Sequence, residues 1–128
     1  MSVLVVVDAA NVVGSVPDGW WRDRRGAAER LRDRLVAYAA EGMAGRPGPV
    51  EVVLVVEGRA RGVESVPGVR VESAPGSGDD LIAELAREAR DAAGRPCLVV
   101  TADRELRRRV EEYGAECVGP RTVHGPPS

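Results

Sequence analysis

Carboxylates stand at separate places in this chain where they could act together on a metal ion. Asp8, Glu57 and Asp103 each follow a run of mostly β-branched apolar residues, and Asp79 and Asp80 stand side by side. Carboxylates that meet without a lysine nearby repel one another, and a bound divalent cation would relieve that repulsion. Hard oxygen ligands suit Mg²⁺ or Mn²⁺, which keep water molecules and can position a hydroxide against a phosphodiester. All five acids are therefore candidate metal ligands, provided that the fold brings them to one place.

Each of these acids also has a purely structural interpretation. Ser77 and Asp80 fit a capping box, in which Asp80 satisfies backbone donors at a helix N-terminus. Asp8 could close its strand in an Asx turn, Asp103 could be an N-cap, and Glu57 could be a solvated residue at a strand end. The spacing does not decide whether Asp79 or Asp80 faces a metal, because neighbouring helical positions are rotated by roughly 100°.

The elements that must position these acids alternate between strands and helices. The pattern predicts a three-layer α/β domain with a central, mainly parallel sheet of about five strands and right-handed crossovers. Because the carboxyl ends of parallel strands share one edge, the acids are expected to meet there. Strands are predicted at 3–7, 50–56, 69–71, 97–100 and 115–118, helices at 22–41, from 77 to the stop at Gly94 and at 106–113, and loops at 12–19 and 59–67.

Length and composition limit the chain to one domain. The 128 residues are 44% hydrophobic, which is enough for one core, and we expect the domain to cover 1–121 and a flexible tail to cover 122–128. All 18 basic Lys or Arg positions are arginine, which excludes a P-loop NTPase and a response-regulator receiver, both of which need a lysine. A histidine acid or base is not expected, since the only histidine, His124, borders the predicted tail.

The sequence predicts a cytoplasmic protein. There is no basic n-region, and no apolar run approaches the roughly 20 residues of a membrane span. Cys97 and Cys117 lie in apolar runs without ligand spacing, so they are expected to be buried free thiols.

Three segments carry a resemblance to a known family. Val-Val-Val-Asp8-Ala-Ala-Asn11-Val-Val-Gly14 resembles Asp-Gly-x-Asn-Val-Ile-Gly, the opening motif of NYN domains, which form the YacP-like branch of PIN-like nucleases. Gly78-Asp79-Asp80-Leu-Ile82 resembles their Ala-Asp-x-x-Ile motif, and Val99-Val-Thr101-Ala-Asp103-Arg104 resembles their Val-Thr-Ser-Asp-Arg motif. The order and spacing of the motifs agree over nearly the whole chain. The sequence departs from the pattern at Ala9, where a glycine is usual, and at Glu57, where an aspartate is often found.

This resemblance implies a PIN-like fold with central strand order 3-2-1-4-5 and cleavage of RNA that depends on Mg²⁺ or Mn²⁺. By the same resemblance Asp8, Asp79 and Asp103 would be catalytic metal ligands, supported by Asn11 and Thr101.

The adjacent residues Trp20 and Trp21 stand out because aromatic residues make up only 3% of the chain. We expect at least one ring to pack on the first long helix, while the other could stack on a base. Arg22, Arg24 and Arg25 follow closely and could bind phosphates, although arginines on a helix also form ordinary solvated faces. With Arg104 from the last motif, these residues are the candidate nucleic-acid contacts.

The sequence therefore predicts a small metal-dependent ribonuclease that acts on RNA, most readily single-stranded RNA, by in-line attack of a metal-activated water. Two alternatives stay open. A carboxylate site with Mg²⁺ could serve a nucleoside triphosphate pyrophosphohydrolase, and the fold could be kept by an inactive RNA-binding or protein-interaction module. The sequence does not determine whether the chain forms a homodimer or binds another protein.

Overall fold

The structure is a computed structural model, and it describes residues 2–125. In chain order the elements are β1 (Leu4–Asp8), α1 (Ala9–Gly14), α2 (Arg24–Glu41), β2 (Gly42–Met43), β3 (Arg46–Pro47), β4 (Glu51–Val56), β5 (Val69–Ser73), α3 (Gly78–Asp91), β6 (Cys97–Val100), α4 (Arg104–Glu111) and β7 (Glu116–Val118). Short 3₁₀ turns lie at Trp20–Arg22, Gly58–Ala60 and Pro120–Val123.

The central sheet has five strands in the order β5-β4-β1-β6-β7, and every neighbouring pair is parallel. When only the strands of this sheet are numbered along the chain, the order is 3-2-1-4-5, so the predicted α/β fold and topology are confirmed. The first strand lies at the centre, where Val6 is opposite Val53 on one side and Val99 on the other. This position explains why its apolar run is continuous rather than alternating.

Helices cover both faces of the sheet and divide the core in two. Val5 and Val7 point to the face that α2 covers, where they join a cluster containing Leu31 and Leu35. Val6 points to the opposite face and joins a cluster that includes Ile82 from α3. These valines are fully buried. The rigid central strand therefore ends at a fixed position, which is where Asp8 lies.

Two short elements were not predicted. The predicted loop at 12–19 begins inside helix α1, because Asp8 caps this helix by accepting from the Asn11 backbone N–H and because Val12 is buried. The chain between α2 and β4 contains the β2–β3 hairpin. Gly42 at its start has a φ of +93°, and a Cβ there would lie 2.0 Å from the Arg46 carbonyl oxygen, so this position requires glycine.

The predicted flexible tail is wrong for its first residues. Val123 is fully buried in the cluster beneath α2, and its carbonyl accepts from Arg34 Nε at 2.7 Å. His124 Nε2 lies 2.9 Å from Ser15 Oγ, and the Gly125 carbonyl accepts from the Tyr38 hydroxyl. Residues 122–125 are thus attached to the domain, whereas the remaining predicted tail, 126–128, lies outside the described residues.

The two cysteines are free, as predicted, but only Cys97 is buried, whereas Cys117 is half-buried. Burial raises the pKa of the Cys97 thiol to about 11 and also raises the pKa of Cys117. In the described range, 2–125, no helix combines the length and the apolar character that a membrane crossing requires.

Candidate active site

Four of the five candidate acids meet at one edge of the sheet. Asp8 ends β1, Glu57 follows β4, Asp79 lies in the first turn of α3, and Asp103 caps α4. They are close enough to affect one another, since Asp79 and Glu57 both raise the pKa of Asp8, and Asp103 and Glu57 both raise the pKa of Asp79. The fold therefore concentrates negative charge at the carboxyl ends of its central strands.

Asp8 is the most buried member of this group, with only 4% of its surface exposed. Burial is the main reason that its pKa rises from 3.8 to about 6. Two donors oppose the rise: Thr101 Oγ1 donates to Oδ2 at 2.9 Å, and the Asn11 backbone N–H donates to Oδ1 at 3.3 Å. Within residues 2–125, no arginine forms an ion pair with this carboxylate. Asp8 is thus a buried acid that accepts two hydrogen bonds and, in the part of the chain that the structure describes, has no arginine partner.

A network of hydrogen bonds joins the ends of β1 and β6. The side-chain oxygen of Asn11 accepts from the Ala102 backbone N–H at 2.8 Å. Thr101 Oγ1 accepts from the Asp103 N–H at 3.2 Å while it donates to Asp8. The Asp103 carboxylate in turn caps α4 by accepting from the Leu106 N–H at 3.1 Å. Asn11 and Thr101 therefore lie beside the acids, as predicted, and hold the two strand ends in register.

Arg107 belongs to this network and was not singled out from the sequence. Its Nε donates to the Thr101 carbonyl at 2.8 Å and so fixes the loop that carries Asp103. The only signal was its position four residues after Asp103, which places it one helical turn along α4. The other arginines on this helix obscured that signal.

Glu57 and Asp79 are held less tightly. The Glu57 carboxylate lies against the start of α3, where a Cβ on Gly78 would come within 2.7 Å of Oε1, so a larger residue there would displace the end of the Glu57 side chain. Asp79 is half-buried, and its pKa is raised first by burial and then by Asp103 and Glu57. Its backbone N–H donates to Ser77 Oγ at 3.1 Å, but no donor within residues 2–125 contacts the carboxylate of Asp79 or Glu57.

Asp80 lies apart from the other acids. Its exposed carboxylate pairs with Arg109 at 3.1 Å, and 76% of its side-chain surface is accessible. Ser77 does cap α3, but it accepts from Asp79, and the reciprocal bond of a capping box is not formed among the described residues. The structure thus answers what the spacing left undecided: Asp79 faces the acidic edge and Asp80 faces Arg109.

The donor set favours a hard, partly hydrated cation. Among residues 2–125, the side-chain atoms next to Asp8 that could bind a metal are carboxylate and hydroxyl oxygens, which suit Mg²⁺ or Mn²⁺ rather than a softer metal. Across residues 2–125, however, no three acidic, histidine or cysteine side chains converge closely enough to enclose an ion. Mg²⁺ commonly uses one or two carboxylates and completes its coordination with water. The residues present fit that mode of binding and do not fit a closed cage.

The two tryptophans flank this edge in different environments. Their rings meet edge to face, with centroids 6.1 Å apart, and Arg24 and Arg22 lie over Trp20 and Trp21 at 5.2 and 5.9 Å. Trp21 is 52% exposed, whereas Trp20 is half-buried against Gly14. Trp20 is therefore the ring that packs on the domain, and Trp21 is the ring left in solvent.

The other two candidate arginines, Arg25 and Arg104, differ in whether the protein itself engages them. Arg25 donates to the Arg61 and Gly62 carbonyls at 3.3 and 3.0 Å, so its guanidinium helps to hold a loop. Arg104 is exposed at the start of α4, directly after Asp103. Among the predicted nucleic-acid contacts, Arg25 is thus already engaged with the protein, while Arg104 lies open beside the acidic edge.

Comparison with solved structures supports the fold over nearly the whole chain. The crystal structure of Rae1 (YacP) from Bacillus subtilis superposes with a TM-score of 0.74 at 20% identity and covers 96% of this chain and 71% of that protein. A tryptophan-to-leucine mutant of Rae1 gives a TM-score of 0.69 at 20% identity, covering 94% of this chain and 70% of the other. No family model and no curated protein sequence matches the chain. The chain therefore shares the fold of YacP, as the motifs predicted.

Proposed function

We propose that this protein is a Mg²⁺- or Mn²⁺-dependent ribonuclease that hydrolyses phosphodiester bonds in single-stranded RNA. The observation that carries the proposal is the buried Asp8 carboxylate, which lies close to Glu57 and Asp79, is connected to Asp103 through Thr101, and has no arginine partner among residues 2–125. Keeping an acid buried and uncompensated is costly, and such sites are commonly functional. The shared fold with Rae1 (YacP) and the three motifs support the same reaction class.

In this proposal Asp8 and Asp79 would hold the cation directly, and Glu57 and Asp103 would hold it through its water molecules. When bound, the cation would supply charge neutralisation at the scissile phosphate and activation of the attacking water. Thr101 stabilises the charged form of Asp8 by donating to it, and Asn11 fixes the backbone after Thr101. The chain has no lysine and its one histidine, His124, contacts Ser15, so the acids and bound water must provide the acid–base chemistry.

The substrate contacts proposed for this site lie on both of its flanks. Trp20, Trp21, Arg22 and Arg24 offer aromatic surface and guanidinium groups on one side, and Arg104 offers a guanidinium on the other. Aromatic rings interleaved with arginines bind unpaired bases and phosphates in single strands. The net charge of −2 favours such a local patch over a wholly basic surface. We also propose a cytoplasmic location, in keeping with two free thiols.

One observation favours a second candidate, a non-catalytic RNA-binding module. No three potential ligands converge within residues 2–125. An inactive domain could keep the fold and the flanking arginines while it lost the ability to hold a cation.

An assay with two substrates separates these functions. The purified chain would be incubated with Mn²⁺ or Mg²⁺ and either a labelled single-stranded RNA, with its duplex form as a control, or a mixture of nucleoside triphosphates. We expect cleavage of the single strand that stops with chelator and in Asp8→Asn. Release of pyrophosphate without RNA cleavage would instead indicate a pyrophosphohydrolase, and RNA binding without any cleavage would indicate the non-catalytic module.

A further inference from the structure

A small pocket opens beside the acidic edge and is not used by the metal chemistry proposed above. Its volume is about 210 Å³, and its walls include Ala10, Val13, Trp20 and Ala60, with Arg24 and Glu57 as its charged members. Pockets for drug-sized ligands usually measure about 300–1,000 Å³, so this one suits a single ring system rather than a whole nucleotide.

The pocket and the acidic edge are continuous. Glu57 belongs to both, since it lines the pocket and also raises the pKa of Asp8 and Asp79. Ala9 also lines the pocket and directly follows Asp8. A base seated in the pocket could therefore belong to the same RNA strand as a phosphate that lies at the acidic edge.

The lining combines what an unpaired base needs. The Trp20 ring and the small apolar side chains provide a surface for a planar heterocycle, and Arg24, whose guanidinium lies 5.2 Å from the centre of the Trp20 ring, provides positive charge for the adjoining phosphate. Trp21, which is 52% exposed, is not among the residues that form the pocket.

We infer that this pocket is a base-binding subsite, which seats one unstacked nucleobase of single-stranded RNA next to the phosphodiester to be cleaved. The inference rests on the proposed ribonuclease function and extends it by assigning the two tryptophans different roles. Trp20 contacts the base, whereas Trp21 lies outside the subsite.

Trp20 can report on its own pocket because the chain has only two tryptophans. In a Trp21→Ala background, the emission of Trp20 would be followed during titration with single-stranded ribo-oligonucleotides of each base, in the presence of chelator. We expect the emission to be quenched. Ala10→Leu, which fills the pocket from an exposed position, should weaken binding by about 5- to 150-fold, the usual value of one stacked base.

The matched control is Ala37→Leu in the same background, because Ala37 is an equally exposed helical alanine far along α2. It should change binding by no more than about twofold, as expected for a neutral surface substitution. A second arm needs no pocket variant: a single abasic nucleotide is moved along the oligonucleotide. With the abasic nucleotide at one position, the affinity should fall by about as much as Ala10→Leu lowers it. When that oligonucleotide binds the Ala10→Leu variant, the affinity should fall little further.

The outcomes separate the pocket from the nuclease. Suppose that the parent cleaves RNA, but that neither Ala10→Leu nor any abasic nucleotide changes the binding affinity. The subsite is then wrong and the nuclease stands. If the oligonucleotides quench Trp20 in a pocket-dependent way but no RNA is cleaved, the nuclease is wrong and the pocket is the base-binding site of a non-catalytic RNA-binding module. If neither binding nor cleavage is observed, both proposals are overturned. Equal binding of free nucleoside monophosphates and oligonucleotides would identify a nucleotide pocket instead of an RNA subsite.

Discussion

The four acids at the sheet edge fall into two pairs that are held differently. Asp8 and Asp103, the hydrogen-bonded pair, each accept from a backbone N–H at the start of a helix. Glu57 and Asp79, the open pair, receive no hydrogen bond on their carboxylates from residues 2–125, although Glu57 lies tightly against Gly78. The backbone thus fixes one pair before any ligand arrives, and the other pair keeps its oxygen atoms free. We expect loss of the hydrogen bonds around the first pair to lower stability, whereas substitutions in the open pair should affect metal binding and leave the stability of the metal-free protein nearly unchanged.

The largest expected effect is on catalysis. Asp8→Asn should lower single-turnover cleavage of single-stranded RNA by at least about 100-fold at saturating Mn²⁺, because a metal-assisted reaction gains several kcal/mol from the ion that this carboxylate holds. Asp79→Asn, from the open pair, should act in the same direction. Cleavage close to the parent rate in Asp8→Asn would remove Asp8 from the mechanism.

The pH dependence of stability without metal should single out Asp8. Its pKa is 3.8 when unperturbed and about 6 in the fold, so between these values the folded chain holds a proton that the unfolded chain has released. Stability must therefore fall as pH rises through this window. Asp8→Asn removes this penalty. Its free energy of unfolding should exceed that of the parent by up to about 3 kcal/mol above pH 7, with no gain near pH 4. Urea unfolding of both proteins in chelator measures the difference; a mutant less stable at pH 7 would contradict it.

Added metal should stabilise the parent through the carboxylates proposed to hold it, and Asp79 is the one of these that belongs to the open pair. A ligand that binds only the folded chain contributes about 2.7 kcal/mol at 100 times its Kd. Thermal melts with chelator and with millimolar Mn²⁺ should show this increment in the parent and a much smaller one in Asp79→Asn. An unchanged response in that variant would mean that Asp79 does not bind the ion.

Thr101→Val tests the hydrogen-bonded pair directly. The substitution removes the donor to Asp8 and the acceptor for the Asp103 N–H at a fully buried position, so it should cost about 2 kcal/mol of unfolding free energy. Thr101→Ser keeps the hydroxyl and should lose less unfolding free energy than Thr101→Val. Glu57→Gln, in the open pair, should leave the unfolding free energy nearly unchanged. Equal losses in Thr101→Val and Glu57→Gln would erase the distinction between the pairs.

The smallest effect is expected at Asp80, which follows Asp79 in the sequence but faces away from the acidic edge. Asp80→Asn breaks only the exposed pair with Arg109, which should change stability by no more than about 1 kcal/mol. RNA cleavage should continue, in contrast to Asp79→Asn one residue earlier. Loss of activity in Asp80→Asn alone would show that the two aspartates have been assigned in the wrong order.

The sequence predicted the elements whose patterns extend over several residues. The apolar runs that form β1, β4 and β6 are rich in β-branched residues, which indicated a sheet covered on both faces. The acids that follow these runs indicated that the site lies at the carboxyl ends of the strands. Helix α1 was missed because six residues are too few to establish a helical period. A single apolar residue has no period at all, which is why the burial of Val123 could not be predicted.

The details of the site depended on contacts that no local pattern records. Whether Asp79 or Asp80 faces inward is set by how α3 starts at its Ser77 cap and by how that helix packs on the sheet, which no local pattern records. The hydrogen bond from Arg107 to Thr101 depends likewise on the angle at which α4 leaves its strand. Motifs identified which residues meet, and tertiary packing determined how each one is oriented.

The central place of β1 also bears on how the protein is made. This strand is synthesised first, yet its neighbours β4 and β6 begin only at Glu51 and Cys97. During translation its valines must wait for one partner that begins more than 40 residues later and a second that begins about 90 residues later, an arrangement that slows folding and exposes an apolar strand to aggregation. The bond between Asp8 and Thr101 spans 93 residues and cannot form until the chain has been synthesised beyond Thr101. A nascent chain that stops short of β6 therefore lacks the hydrogen bonds that join the strand ends at the acidic edge.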